Sequence, residues 1–309
     1  MIETKKYLKP KSTTEALEMA QSYKDDFKFI AGGTDLMVNK FQGNVEAQCL
    51  IDLSAVAELK GIHKKGSQII IGADTHLYEL QNNNIIQEYF PTFTEVIQNI
   101  GSPVLRKMAT IGGNLLCENR CSYYNQSEWW REAVGYCLKC DGDICIATGG
   151  KKACFSKFVS DAAIFLISVS AKLEIVSQDG TRTVQLEDIY TGDGINSHSI
   201  GKIEIIKNII LPADEDFKVI FKKLRPREAV DFSSLTTSVS LNNVGKIKIA
   251  LGGVDPKPVI VEGEITGDLD SYITQSVKKA RIIDNDVFPR LYRKRMISTY
   301  LTESLNSLK

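Results

Sequence analysis

The sequence predicts an α+β protein made of more than one unit, and three observations carry that prediction. Short apolar runs alternate with helical patterns over roughly the first hundred residues, the texture of an α/β layer. An aperiodic stretch from Cys121 to Cys154 then interrupts the pattern; it holds five of the seven cysteines and both tryptophans. From about Ile203 the chain changes to consecutive strand-like runs closed by two helical segments, the order expected of a separate α+β domain.

The elements follow in order. Ser12 and Glu15 have capping-box spacing and predict a helix through Ala16–Tyr23. Lys28–Ala31 reads as a short strand, Gly32–Asp35 as a turn and Leu36–Lys40 as helical. Cys49–Leu53 and Gln68–Gly72 are apolar enough to be buried strands. Thr75 is placed to cap a helix through His76–Leu80. Pro91 stands where the first turn of a helix over 92–100 begins, a position that tolerates its missing N–H. After the cysteine stretch, 161–169 predicts a helix, 171–176 a strand, and Ser177–Gly180 a turn into a hairpin partner. The runs 202–211, 216–224, 234–243 and 245–254 predict successive antiparallel strands, with Asn242, Asn243 and Gly245 as turn residues. Helices are expected over about 270–281 and 287–304. No internal repeat or low-complexity linker divides the chain.

Composition excludes several functions. Lys plus Arg and Asp plus Glu are 38 each, so the chain has no net charge and lacks the basic excess of a nucleic-acid binder. Its opening residues carry charge without a following apolar core, so no secretory leader is expected. The longest apolar run, Ala162–Ala171, is about half of what a bilayer requires. These readings place the protein in the cytoplasm, off the membrane. In a reducing compartment clustered thiols point to metal ligation rather than disulfides.

Two glycine pairs stand out, Ala31-Gly32-Gly33-Thr34-Asp35-Leu36 and Ala109-Thr110-Ile111-Gly112-Gly113-Asn114-Leu115. Adjacent glycines let a backbone approach a ligand and aim amide N–H groups at phosphate. Neither matches a dinucleotide fingerprint or a P-loop, and either could be a plain turn. The thiols leave two readings open by spacing. Cys137 and Cys140 form a C-x2-C, and Cys117 and Cys121 a C-x3-C, which suit structural zinc. Four cysteines equally suit an iron–sulfur cluster. His63, His76 and His198 fall in no ligand spacing and read as surface or capping residues. No Ser/His/Asp set or carboxylate pair suggests hydrolysis.

The glycine turns and their surroundings resemble the flavin-binding medium subunits of the molybdenum hydroxylases, the xanthine dehydrogenase and carbon monoxide dehydrogenase family. The shared pieces are KFIAGGTDL, IGADTHLYEL, IGSPVLRKMATIGGNL, the Ser160-Asp161 pair, FKKLRPREAVDF and LGGVDPKP. They occur in family order over nearly the whole chain. The resemblance implies a two-subdomain FAD-binding region of the PCMH, vanillyl-alcohol-oxidase-like type, followed by a C-terminal domain like that of the CO dehydrogenase flavoproteins. The expected boundaries are 1–54, 55–200 and 201–309, with an insert at about 117–158. It further implies that both turns cradle FAD. Ala31, Gly32, Gly33, Thr34 and Asp35 would form the first turn, flanked by Lys28 and Ile30. Thr110, Gly112, Gly113 and Asn114 would form the second. Asp161 is expected near the ribityl or adenosine portion and Lys223 beside the isoalloxazine, with Lys222 as the alternative should the correspondence slip by one.

The insert itself resembles one branch of that family, the FAD subunits of 4-hydroxybenzoyl-CoA reductases, through RCSYYNQSEWWR, GYCLK, DGDIC and a final lone cysteine. That likeness implies a [4Fe-4S] cluster held by Cys121, Cys137, Cys145 and Cys154, spaced C-x15-C-x7-C-x8-C, leaving Cys117 and Cys140 spare and Cys49 a buried apolar filler. Trp129, Trp130, Tyr123, Tyr124 and Tyr136 are expected to shield it. The implied role is electron transfer with no catalytic residue in this chain. The implied partners are a molybdopterin-binding large subunit, a small [2Fe-2S] subunit and a ferredoxin-like donor, assembled as a dimer of heterotrimers.

Overall fold

The computed structural model describes residues 5–24 and 26–309. Met1–Thr4, part of the opening in which no leader is expected, and Asp25 lie outside them. The first unit is a three-stranded parallel sheet in the order β1-β3-β2. Its elements are β1 (Lys6–Leu8), α1 (Thr13–Ser22), β2 (Phe27–Ile30), α2 (Leu36–Phe41) and β3 (Cys49–Asp52). The Ser12 hydroxyl accepts the Glu15 N–H at 3.1 Å, while the Glu15 carboxylate accepts from the Lys11 N–H at 2.7 Å. The capping box thus closes one residue upstream of its usual form. The central strand β3 buries Cys49 and Ile51 completely, which confirms Cys49 as apolar filler.

The second unit carries an antiparallel sheet in the order β4-β5-β8-β6-β7. Its strands are β4 (Ile62–Lys65), β5 (Gln68–Gly72), β6 (Lys172–Ser177), β7 (Gly180–Gln185) and β8 (Ile205–Pro212). Between β5 and β6 run α3 (Leu77–Gln81), α4 (Asn84–Tyr89), α5 (Pro91–Gln98), α6 (Pro103–Arg106), α7 (Ile111–Leu115), α8 (Glu128–Val134) and α9 (Asp161–Ser168). Every residue of α9 is buried. It packs on α5 and on two strands of the next unit, so its apolar, aperiodic sequence marks a helix covered on all sides.

The third unit is a meander, β9 (Phe217–Leu224), β10 (Leu235–Asn242), β11 (Lys246–Gly252) and β12 (Val259–Glu264), followed by α10 (Leu269–Lys279) and α11 (Arg290–Leu308). Ile297, Leu301 and Leu305 of α11 fill the core over Val239, Ile249 and Leu251. Among the described residues no helix is long and apolar enough to cross a membrane.

The structure corrects three local expectations. The run 202–211 is not the first strand of the C-terminal meander. As β8 it sits in the middle of the second sheet, pairing Ile69 with Leu211 and Leu173 with Ile209. Its two apolar faces suit a central strand, but nothing local names partners so distant in sequence. The chain therefore enters the third unit after Pro212 rather than near 201. Thr75 does not cap α3; its hydroxyl bonds the Gly61 N–H at 3.1 Å and carbonyl at 3.2 Å. Finally, the cysteine stretch is not wholly loop, since α8 lies within it with the Ser127 hydroxyl capping Trp130 N–H at 3.3 Å.

Candidate functional site

A cavity of about 1130 Å³ opens where the three units meet. All thirteen residues expected at the cofactor line it: Lys28, Ile30, Ala31, Gly32, Gly33, Thr34, Asp35, Thr110, Gly112, Gly113, Asn114, Asp161 and Lys223. The two turns abut. A Cβ on Gly32 would lie 1.9 Å from the Met108 carbonyl oxygen, just ahead of the second turn, and one on Gly112 would lie 2.9 Å from Ala73. Gly33 has φ +68°, where a β-branched residue is strained.

The turns differ in what they offer. Backbone N–H groups of Gly32–Asp35 donate to no partner among the described residues, which leaves a concave set of donors facing the cavity. The second turn is used internally. Gly112 N–H donates to the Ala73 carbonyl at 2.8 Å, Gly113 N–H to the Thr110 hydroxyl at 3.3 Å and Asn114 N–H to the Thr110 carbonyl at 3.0 Å. The expectation of free amides at both turns therefore holds only for the first.

Asp161 and Lys223 meet across the cavity wall with Oδ2 to Nζ at 2.6 Å, their side chains 5% and 6% exposed. Asp161 also accepts from the Ser233 hydroxyl and, at 2.6 Å, from the Thr236 hydroxyl. Lys222 points the other way along β9 and pairs with Glu303 on α11, so strand alternation settles which lysine faces the cavity.

Asp35 is tied down rather than free. Its carboxylate accepts the Glu118 N–H at 3.0 Å and pairs with the Arg120 guanidinium. Sequence reasoning missed Arg120, as it missed Asp74 and His198, which also line the cavity. Burial raises the Asp74 carboxyl above its usual range, with Lys60 opposing at 3.6 Å. Burial lowers the His198 imidazole, and its Nδ1 has no hydrogen-bond partner among the described residues. His198 is thus not a surface histidine.

The insert is closed at its base by reciprocal backbone bonds between Arg120 and Lys157, at 2.9 and 2.8 Å. Within it, Cys121, Cys137, Cys145 and Cys154 line a second cavity of about 10 Å³ together with Tyr123, Tyr124 and Lys139. Cys121 lines the large cavity as well. Lys139 pairs with Glu118 at 2.7 Å, and its ammonium lies 4.7 Å from the Tyr124 ring centre. Burial raises the Cys121 thiol to about 11. A hydrogen bond from Cys140 lowers Cys137 to about 6 and raises Cys140 in turn.

The two zinc-type pairs differ. Cys140 stays within hydrogen-bond reach of Cys137 but does not line the thiol cavity, whereas Cys117 turns to the large cavity, where burial pushes its thiol up to about 12. Among the described residues no three His, Cys, Asp or Glu side chains converge closely enough to hold a single ion. The tryptophans do not shield the thiols: Trp129 is 74% exposed on the outer side of α8, and neither it nor Trp130 lines the thiol cavity. Tyr123 and Tyr124 take that place, whereas Tyr136 is exposed and hydrogen-bonds Glu128 at 2.7 Å.

Two abutting glycine turns, one with unpaired amides, facing a deep cavity between α/β units define a protein for a large phosphate-bearing cofactor. Residues 2–214 match the family described as the FAD binding domain in molybdopterin dehydrogenase. The chain belongs to that family. It is 26% identical over 290 residues to the aldehyde oxidoreductase FAD-binding subunit PaoB of Escherichia coli, covering 90% of this chain and 91% of that one. It is 26% identical over 262 residues to the carbon monoxide dehydrogenase medium chain of Hydrogenophaga pseudoflava, covering 83% and 77%. The fold matches a crystal structure of Cu,Mo-CO dehydrogenase with a TM-score of 0.76 at 22% identity, over 97% of this chain and 96% of that one. The α+β fold and the assignment to FAD-dependent oxidoreductase subunits follow.

Proposed function

We propose that this chain carries both FAD and a [4Fe-4S] cluster. In this reading it is the electron-transfer subunit of a molybdopterin-dependent 4-hydroxybenzoyl-CoA reductase, driven by a ferredoxin-like donor toward reductive dehydroxylation. One observation carries the reading: Cys121, Cys137, Cys145 and Cys154 line a single small cavity, and Cys121 also lines the large one. When bound, FAD would supply one- and two-electron exchange and the cluster one-electron exchange.

The protein's own part is to hold and separate these groups. Gly32–Asp35 would offer their unpaired N–H groups to the FAD diphosphate. Thr110, Gly112, Gly113 and Asn114 would bring the backbone close, with Lys28, Ile30 and Ala31 flanking. The Asp161–Lys223 pair would face the ring or sugar end. Cavity size supports this use, since about 1130 Å³ exceeds ordinary small-ligand pockets. The donor set of the thiol cavity, four sulfurs beside two tyrosines and a lysine, fits a cubane. Its volume is that of about one water, so the four side chains must turn outward around a cluster. A cubane's thiolates bind different irons and stand wider apart than those on one tetrahedral ion. Partner subunits would carry molybdopterin and [2Fe-2S] clusters, in a dimer of heterotrimers in the cytoplasm.

The names of the relatives favour a second reading, an FAD subunit of a dehydrogenase acting on an aldehyde, a xanthine or N-heterocycle, or another aromatic. Substrate choice then lies with the partner. The test is anaerobic purification with iron and flavin analysis of the wild type and of Cys137→Ser. Four irons and one FAD per chain are expected, with iron lost and FAD kept in the variant. Wild-type protein with flavin but no iron would refute the cluster, and iron unchanged in Cys137→Ser would refute the ligand set.

A further inference from the structure

We propose that Arg120 is a flavin-binding residue supplied by the cysteine insert, its guanidinium donating to the FAD diphosphate beside the first glycine turn. The proposal rests on reading Gly32–Asp35 as the diphosphate cradle, and it adds a cation that neither turn contains.

Four constraints hold this guanidinium in the cavity wall. The backbone is locked on both sides by the reciprocal bonds to Lys157. One nitrogen, Nη2, pairs with the Asp35 carboxylate. The plane lies over the Phe232 ring, Cζ to centroid 4.6 Å, a contact guanidinium groups favour. The residue is only 8% exposed. Only Nη2 has an acceptor among the described residues, and Nε–H is buried without one, although Arg120 lines the large cavity.

A buried donor left unmade costs the full desolvation of that group, and a phosphate oxygen is the acceptor guanidinium recognises best. An arginine guanidinium is charged at neutral pH. The Asp35 pairing points to the same ligand. A lone carboxylate at the end of the cradle would repel a dianionic diphosphate, and Arg120 cancels that charge. Three other cations of the cavity wall have other tasks: Lys223 pairs with Asp161 and Lys157 with Asp286, while Arg106 is taken up by carbonyls and Gln81.

FAD affinity of the full chain stripped of flavin, and ADP competition against FAD, are measured for wild type, Arg120→Lys, Arg120→Gln and the double variant Arg120→Gln/Asp35→Asn. Arg120→Gln should weaken both FAD and ADP at least tenfold. Arg120→Lys, which keeps the charge but lacks the guanidinium's fork of N–H donors, should fall between. The double variant should not recover, because the lost contact is to the ligand and not only to Asp35. Unchanged FAD affinity in Arg120→Gln overturns the proposal, as does recovery in the double variant, which would make Arg120 a neutraliser of Asp35 alone. Weakened FAD with unchanged ADP competition moves the contact off the diphosphate and overturns it too. Should Arg120→Gln fail to fold, Arg120→Lys decides: wild-type affinity there refutes a guanidinium contact. A wild type that binds FAD but is not competed by ADP refutes instead the cradle reading on which the proposal stands.

Discussion

Replacing Lys223 by Met should be the most informative single change at the large cavity. Methionine keeps most of the stem and removes the charge, so packing is nearly preserved. What remains is the Asp161 carboxylate, 5% exposed and without its cation. Breaking a buried ion pair from one side costs about 3–5 kcal/mol because the surviving charge stays desolvated. The Ser233 and Thr236 hydroxyls still donate to that carboxylate, which puts the expected loss at the low end, about 3 kcal/mol. For a protein of this size that corresponds to a fall in Tm of about 6–12 °C. Thermal unfolding of the FAD-loaded protein, followed by far-UV circular dichroism, reads the effect. Lys223→Met/Asp161→Asn should regain most of the loss, since an amide can both donate to and accept from the two hydroxyls. If the single variant melts within about 2 °C of wild type, or the double variant is no more stable than the single one, the pair is not held in the desolvated state described and the reasoning fails.

Asp74 gives a pH dependence of defined sign. Burial raises its carboxyl in the folded chain, so the native state holds that proton more tightly than the unfolded one. Its contribution is present below the unfolded value near about 4 and is lost as pH rises through the raised folded value. Asp74→Asn should flatten that decline and raise stability at pH 7; denaturant melts across pH 4–8 check it, and a slope unchanged from wild type counts against it. Gly142→Ala would place a Cβ 1.8 Å from the Tyr136 carbonyl oxygen and disturb the Gly142 N–H bond to Cys137 at 3.0 Å. More than half of the bound iron should disappear with FAD retained, as read by metal and flavin analysis; full iron would mean the loop absorbs the shift. Gly33→Val puts a β-branched residue at φ +68°, with its Cβ 3.2 Å from Ile30, and should abolish stoichiometric flavin, measured by the visible spectrum after gel filtration.

The cavity was legible in the sequence because glycine pairs constrain the backbone directly. The turn at Gly32 has no room for a Cβ against Met108, and that demand is written in the residue type. Lys223 was separable from Lys222 only once β9 was fixed, since alternation along a strand decides the face and a one-residue slip reverses it. The strand at 205–212 could be recognised but not placed. Its partners lie more than 130 positions away at β5 and close behind it at β6, and local composition does not distinguish those from the strands that follow. Trp129 misled because a bulky aromatic near thiols suggests shielding, whereas helix phase on α8 turns it to solvent. Arg120 was hidden by its neighbour: beside Cys121 it read as part of a thiol motif, and its partners Asp35 and Phe232 are far off in the chain.

An aperiodic segment of this length has to be fixed against a large loss of conformational entropy. Its own regular structure is small, one seven-residue helix and one 3₁₀ turn, so the restraint comes from contacts with the rest of the fold, at its base and at α8, where the buried Arg131 donates to the Gln42 carbonyl at 2.6 Å. Asn119 donates to the Ser156 and Pro256 carbonyls at 3.1 and 2.8 Å, Lys157 reaches Ser233 and Asp286 in the third unit, and Arg120 reaches Asp35 in the first. Each contact joins a different part of the fold at the rim of the large cavity. A loop anchored this way cannot be rearranged without moving the first glycine turn and the Phe232 loop together. If the thiols do hold a cluster, ligation at four points would stiffen the span that the base leaves free, and the stiffened segment would be the one bearing Arg120 and Cys121. The base of the insert is thereby part of the wall of the large cavity, through Arg120, Cys121 and Lys157.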